Sequence, residues 1–297
     1  MGVAATPLTW TYRALWFVLP FTLGELMGDA LTDHSSSVAW CGAVLGWSAW
    51  AVALGTSMVP APATLTIVRI LAPTPIVAGV VAAVVVAPDE LPGALGWVGL
   101  VSAAVAVVCA LAPEFGEWFV NGASYGDERR MPIRPPVPLL LGPIELVWTF
   151  TVFPVTVGAF LVAARNWVLG PLVLAIGVAT VVIGFRILRR LADRWIVFVP
   201  AGITIVDDFA VNQPVLLPRA RITRLGPAVV GTAALDLTAN ASGLVLQVDL
   251  DEPVELVPQV GRGDTARATT ATSLLISATR PGELLDQAES RRIRVSR

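Results

Sequence analysis

The chain has two textures. Up to about residue 188 it runs in long apolar stretches separated by short polar breaks; from about residue 191 it alternates with period 2, interrupted by Pro, Gly and Asx. Hydrocarbon offers backbone groups no partners, so a bilayer crossing takes about 20 mostly apolar residues wound as a helix. Residues 38–58, 94–111, 137–163 and 167–188 meet this nearly without charge. Residues 63–86 are long enough but contain Arg69, Pro73 and Pro75, and residues 14–31 are short and contain Pro20, Glu25 and Asp29. The pattern predicts a polytopic α-helical membrane domain over residues 1–190 with about six transmembrane helices.

Arginine placement predicts the threading, because short cytoplasmic loops carry the excess of basic residues. With both termini cytoplasmic, the inner segments hold Arg13, then Arg129, Arg130 and Arg134, then Arg186, Arg189, Arg190 and Arg194, and only Arg165 is left outside. The outer loops would be residues 32–37 and 88–93, with Asp33, Asp89 and Glu90 as their charges. Trp10, Trp40, Trp97, Trp118 and Trp167 fall near span ends, where an interfacial aromatic belt belongs.

In the last third, residues 195–199 and 203–206 predict a hairpin around Pro200-Ala201-Gly202. Short strands follow at 215–217, 222–225, 235–238, 244–250, 254–257 and 272–277, with a mobile polar loop at 261–270. Arg280-Pro281-Gly282 then opens an amphipathic helix from Glu283 to about Arg292, with Pro where a first helical turn tolerates it. The expectation for residues 191–297 is a small β-barrel or sandwich closed by a C-terminal helix.

This layout resembles a bacterial, actinobacterial-type multi-pass membrane protein with a C-terminal pleckstrin-homology-like (PH-like) domain. The resemblance rests on Arg194-Trp195-Ile196-Val197-Phe198, on Gly202-Ile203-Thr204-Ile205, on a strand from Pro218 through Arg219-Ala220-Arg221 to Leu225, and on Arg280-Pro281-Gly282-Glu283-Leu284-Leu285. It implies a cytoplasmic module that binds proteins. The basic pair that flanks the first hairpin in phosphoinositide-binding relatives has no counterpart at Pro200-Ala201-Gly202, so phosphoinositide binding is not implied.

Composition agrees with two solvents. Apolar residues make up 55% of the 297, charged residues only 14%, and mean hydropathy is +0.74, which excludes an ordinary soluble enzyme. All 20 basic residues are Arg, and Ala, Val, Gly and Pro abound, which points to a GC-rich bacterium and hence to its plasma (inner) membrane. Cys41 and Cys109 lie in apolar runs and provide neither a disulfide framework nor a metal cluster.

Ionisable groups inside a membrane are costly, and so are candidates for function. Arg69 and Glu145 would sit at similar depth from the cytoplasmic side, and the sequence suggests that they pair across helices. The alternatives are a substrate or proton path, or separate snorkelling to the surface. Glu25 and Asp29, four apart, share a helix face and could bind a cation or relay protons, or simply be hydrated at a helix end. The polar loop at residues 114–136 carries Arg129, Arg130 and Arg134, whose forks could bind lipid headgroups or dock onto the C-terminal domain, or anchor the loop on the inner side. No catalytic constellation, cofactor motif or metal set is recognisable, and the last 109 residues lack His and Cys. With three aromatics and balanced charge there, nucleic acid is not an expected partner. The expected function is a non-catalytic scaffold or regulatory protein in the bilayer, binding a protein partner or itself; the alternative is a small transporter or transporter subunit using Arg69, Glu145 and Glu25.

Overall fold

The computed structural model describes residues 5–86, 92–122, 124–259 and 267–297. The expected outer loop at 88–93 and polar loop at 261–270 fall largely outside these residues. Contacts divide the chain into two compact units, one formed by residues 2–122 with 146–189, the other by residues 123–145 with 190–297.

The first unit is helical. Helix α1 (Pro7–Asp29) is capped by Thr6, followed by Pro at the first helical position, and runs unbroken through Pro20. It packs along α5 (Ala94–Leu111), flanked by α2 (Ser36–Thr56) and by α4 (Thr74–Val86), which follows α3 (Pro62–Leu71). A short amphipathic helix, α6 (Pro113–Asn121), continues from α5 and buries Phe115, Trp118 and Phe119. Among the described residues, five helices are long and apolar enough to cross a membrane: α2, the α3 and α4 pair taken as Pro62–Val86, α5, α8 (Pro143–Ala163) and α9 (Leu169–Ala192). Their exposed faces are Val, Leu, Ile, Phe and Trp, as hydrocarbon contact requires. Helix α1 is long enough as well, but its two acids, its arginine and its threonines leave it less apolar.

Prolines shape these helices in a traceable way. Pro73 and Pro75 remove two amide donors and break the span between α3 and α4. The Leu71 carbonyl, which would have bonded the amide at position 75, accepts the Thr74 hydroxyl at 2.7 Å, and the Ile70 carbonyl accepts the Trp148 indole at 2.8 Å. The stretch expected as one helix over 137–163 is likewise broken, into α7 (Val137–Leu140) and α8, with Gly142 at φ +121° between them. Helices α8 and α9 meet along a seam of Gly158, Gly170, Gly177 and Gly184, where a β-carbon would strike the facing helix. At Gly177 that obstacle is the Val155 main chain, so side-chain motion cannot relieve it.

Among its described residues, the second unit holds two four-stranded sheets and a terminal helix. One sheet has the order β1-β2-β3-β4, from β1 (Arg129–Pro132), β2 (Trp195–Val199), β3 (Gly202–Val206) and β4 (Val215–Pro218), all antiparallel. The other has the order β5-β7-β8-β6, from β5 (Ile222–Pro227), β6 (Leu235–Asp236), β7 (Leu246–Leu256) and β8 (Thr269–Ile276). Inward residues of both sheets, among them Ile196, Phe198, Ile203, Ile205, Leu246, Val248, Leu274 and Ile276, form one core, and α10 (Pro281–Ser290) covers it with Leu284, Leu285 and Ala288.

Three details differ from the sequence expectation. Residues 219–221 coil into one 3-10 turn before β5, and the segments at 244–250 and 254–257 are a single strand with a register shift between Asp249 and Val254. The polar segment at 114–136 is not a loop: it contains α6, driven by burial of its aromatic face, and β1. Bonds from Ile133 and Arg134 to Arg194 and Ser277 carry β1 on to the chain after β8 and join the sheets along one seam.

Candidate functional site

A heavily tied feature of the second unit is the place where the end of β1 meets the start of β2. Strand β1 comes from between the predicted spans, whereas β2 begins directly after α9. The β2–β3 hairpin pairs Trp195 with Val206, so the residue before β2 stands opposite the residue after β3. These are Arg194 and Asp207. The guanidinium holds the carboxylate on two prongs, Nε to Oδ1 and Nη2 to Oδ2, each at 2.7 Å, and both side chains are fully buried. Its third arm, Nη1, donates to the Arg134 carbonyl at 3.1 Å, and Asp207 also accepts from the Phe209 amide at 3.0 Å.

Arg134 is engaged in turn. Nε donates to the Ala278 carbonyl at 3.0 Å, Nη1 to Ser242 at 2.9 Å and Nη2 to Thr279 at 3.4 Å, while its amide bonds Ser277. Gly243, at φ +97°, leaves the space the guanidinium occupies. Arg129 reaches Glu283 on α10 at 3.1 Å, and Arg130 lies over the Trp195 ring and 3.4 Å from Glu128. All three arginines singled out in the sequence thus bind within the β-rich unit.

A second polar group lies on sheet β5-β7-β8, on the face away from Leu246, Val248 and Leu250. Asp249 accepts Gln247 Nε2 at 2.6 Å and Ser273 Oγ at 2.7 Å, with Arg224 Nη1 at 3.5 Å, and Arg224 Nε also donates to Ser296 at 2.8 Å. Partial burial pushes the Asp249 carboxyl up, but the bonds from Gln247 and Ser273 and the nearby guanidinium outweigh it, so the group sits below the usual carboxylate range.

Of the intramembrane candidates, Arg69, Glu25 and Asp29 lie in the helical unit and Glu145 in the second unit. Arg69 donates from Nε to the Ala110 carbonyl at 3.1 Å, its guanidinium lying against Gly116. Glu145 is exposed in the first turn of α8, and its Oε2 accepts the Gly142 amide at 3.0 Å, one half of a capping box. Glu25 and Asp29 are both exposed, away from the packed side of α1 formed by Thr22, Leu23 and Leu26. A buried arginine emerges instead at Arg13, which donates to the Ser57 carbonyl at 2.6 Å between the rings of Trp10 and Trp118. Sequence reading takes Arg13 only as an inner-side charge and Arg194 as one of an Arg cluster. The readable signal for the latter is hairpin symmetry, which pairs 194 with 207. Among the described residues, no group of three metal-ligating side chains comes together.

Comparison with protein-family models, with curated proteins and with solved structures yields no match.

Proposed function

We propose that the chain is a multi-pass scaffold of the bacterial plasma membrane, with both termini cytoplasmic, whose β-rich unit is a PH-like module that binds a partner protein near the membrane surface. The observation that carries this reading is how the unit is assembled. A strand drawn from between two apolar helices completes its first sheet, and Arg134 and Arg194 clasp the two entering segments. A module joined to a membrane domain at three chain junctions, with Arg129, Arg134 and Arg194 bound within it, is suited to presenting a surface.

Proximity labelling from the C-terminus in native membranes tests the reading. The full chain is compared with one truncated after Arg190, membrane insertion of both being verified. A defined set of protein neighbours that disappears on truncation is the expected result. Neighbours that persist would move the function to the helices and overturn the proposal.

A further inference from the structure

The β-rich unit is polar at one end and apolar at the other. From the middle of β7 onward, Asp251, Glu252 and Glu255 are exposed, and Arg221 pairs with Glu252 at 2.8 Å. From Gly226 to Gln247, by contrast, Asp236 is the only charged residue. The loops after β5 and before β7 form this second end, joined by the Ala228 amide donating to the Val245 carbonyl at 3.0 Å. At its tip Val230 is 100% exposed, Val229 58% and Leu244 47%. Single exposed aliphatics are ordinary, but a group of them on loops whose own charge is Asp236 alone marks an interaction surface, with Arg134 and Arg224 reaching only its base at the Ser242 and Pro227 carbonyls.

The occupant follows from what the same loop holds. Asn240 accepts the Val137 amide at 3.3 Å, and Ser242 accepts Arg134 Nη1 at 2.9 Å. The three residues from Ser242 to Val245 can span at most about 10 Å. Val137 opens α7, whose exposed Leu140, followed by exposed Leu141, leads into α8, one of the five helices apolar enough to cross a membrane. The apolar tip is therefore a close neighbour of the point where the chain enters α8, while Glu252 lies six residues along β7 from Leu246, roughly 20 Å away.

The geometry points to insertion of Val229, Val230 and Leu244 into the bilayer, at the boundary between headgroups and acyl chains, as a membrane attachment additional to the covalent connections. This placement rests on α8 entering the bilayer and is independent of any protein partner. Aliphatic tips without charge bind at that depth through buried apolar area, so anionic lipid is not needed.

The test uses the full chain with Cys41 and Cys109 replaced by Ser, reconstituted in phosphatidylcholine vesicles, with a polarity-sensitive fluorophore on Val230→Cys or, separately, Glu252→Cys. The expected result is blue-shifted emission at 230 that is quenched by spin-labelled lipid and protected from iodide, with the reverse at 252. Val229→Cys repeats the reading should labelling at 230 disturb reconstitution. Iodide quenching at 230 equal to that at 252 overturns the proposal, and so does a blue shift without lipid quenching, which would assign the tip to a protein contact. Loss of the neighbours in the labelling experiment would leave these fluorescence results unchanged, so the two readings fail separately.

Discussion

The main-chain carbonyl of Trp16, deprived of its helical donor by Pro20, accepts the indole N–H of Trp50 at 3.0 Å, and the Trp16 indole returns the bond to the Trp50 carbonyl at the same distance. Proline at position i leaves the carbonyl at i−4 without its amide, and in a low-dielectric setting an unsatisfied carbonyl costs about 1–3 kcal/mol. The reciprocal pair thus lets α1 pass through Pro20 unbroken while tying it to α2. Trp50→Phe should destabilise the detergent-solubilised chain by about that amount. In a Pro20→Ala background, where the amide is restored, the same change should cost less, and a thermal-unfolding double-mutant cycle reads the difference. Equal costs in both backgrounds would contradict the assignment.

Arg194→Ala or Asp207→Ala strands a buried charge, and each should destabilise the β-rich unit by about 3–5 kcal/mol. Replacing both, as Arg194→Met with Asp207→Leu, should recover most of that loss, because two desolvated charges are removed together. Hydrogen exchange on peptides covering β1 to β3 measures it. The single variants should also loosen residues 132–134, since Arg194 holds the Arg134 carbonyl.

Gly177→Ala should lower the thermal stability and membrane yield of the full chain, because the added methyl meets the main chain at Val155. Gly46→Ala on α2, where a β-carbon meets nothing within 4 Å, should be tolerated or mildly stabilising, as helix propensity favours Ala. Indistinguishable thermal shifts for the two would argue against the seam between α8 and α9.

Asp249 gives the β-rich unit an acid-sensitive contribution. Its folded-state carboxyl lies below the ordinary range, so it stabilises the fold fully above the unfolded value near 4 and progressively less as pH falls through the folded value. Hydrogen-exchange protection of β7 and β8 should drop on acidification below that range, and Asp249→Asn should flatten this part of the profile. Protection that rises on acidification would reverse the sign and refute the assignment.

Much of this architecture was legible in sequence because the two solvents impose different periods. Long uncharged runs marked α2, α5, α8 and α9, and alternation broken by Pro-Ala-Gly marked β2 and β3. Residues 129–132 gave no comparable signal: a four-residue strand flanked by arginines and prolines has too few alternations to declare itself, and its partner lies more than 60 positions away. The arginines left several readings open, docking onto the C-terminal domain among them, for a related reason. Charge near a predicted membrane boundary suggests headgroups or inner-side anchoring, yet a guanidinium binds a buried carbonyl equally well, and only the fold brings Ala278, Ser242 and Thr279 around Arg134.

By itself, the sequence determined that the chain has a membrane-type part followed by a β-rich part, because burial periodicity is a local property of a few turns or strands. Tertiary structure alone decided that the β-rich part takes a strand from between the helices, that Arg134 is ringed by the Ala278, Ser242 and Thr279 carbonyls, and that Arg194 meets Asp207. Each of these depends on which distant carbonyl or carboxylate is left for a donor once the backbone has satisfied itself, and that is settled only when the elements are packed together.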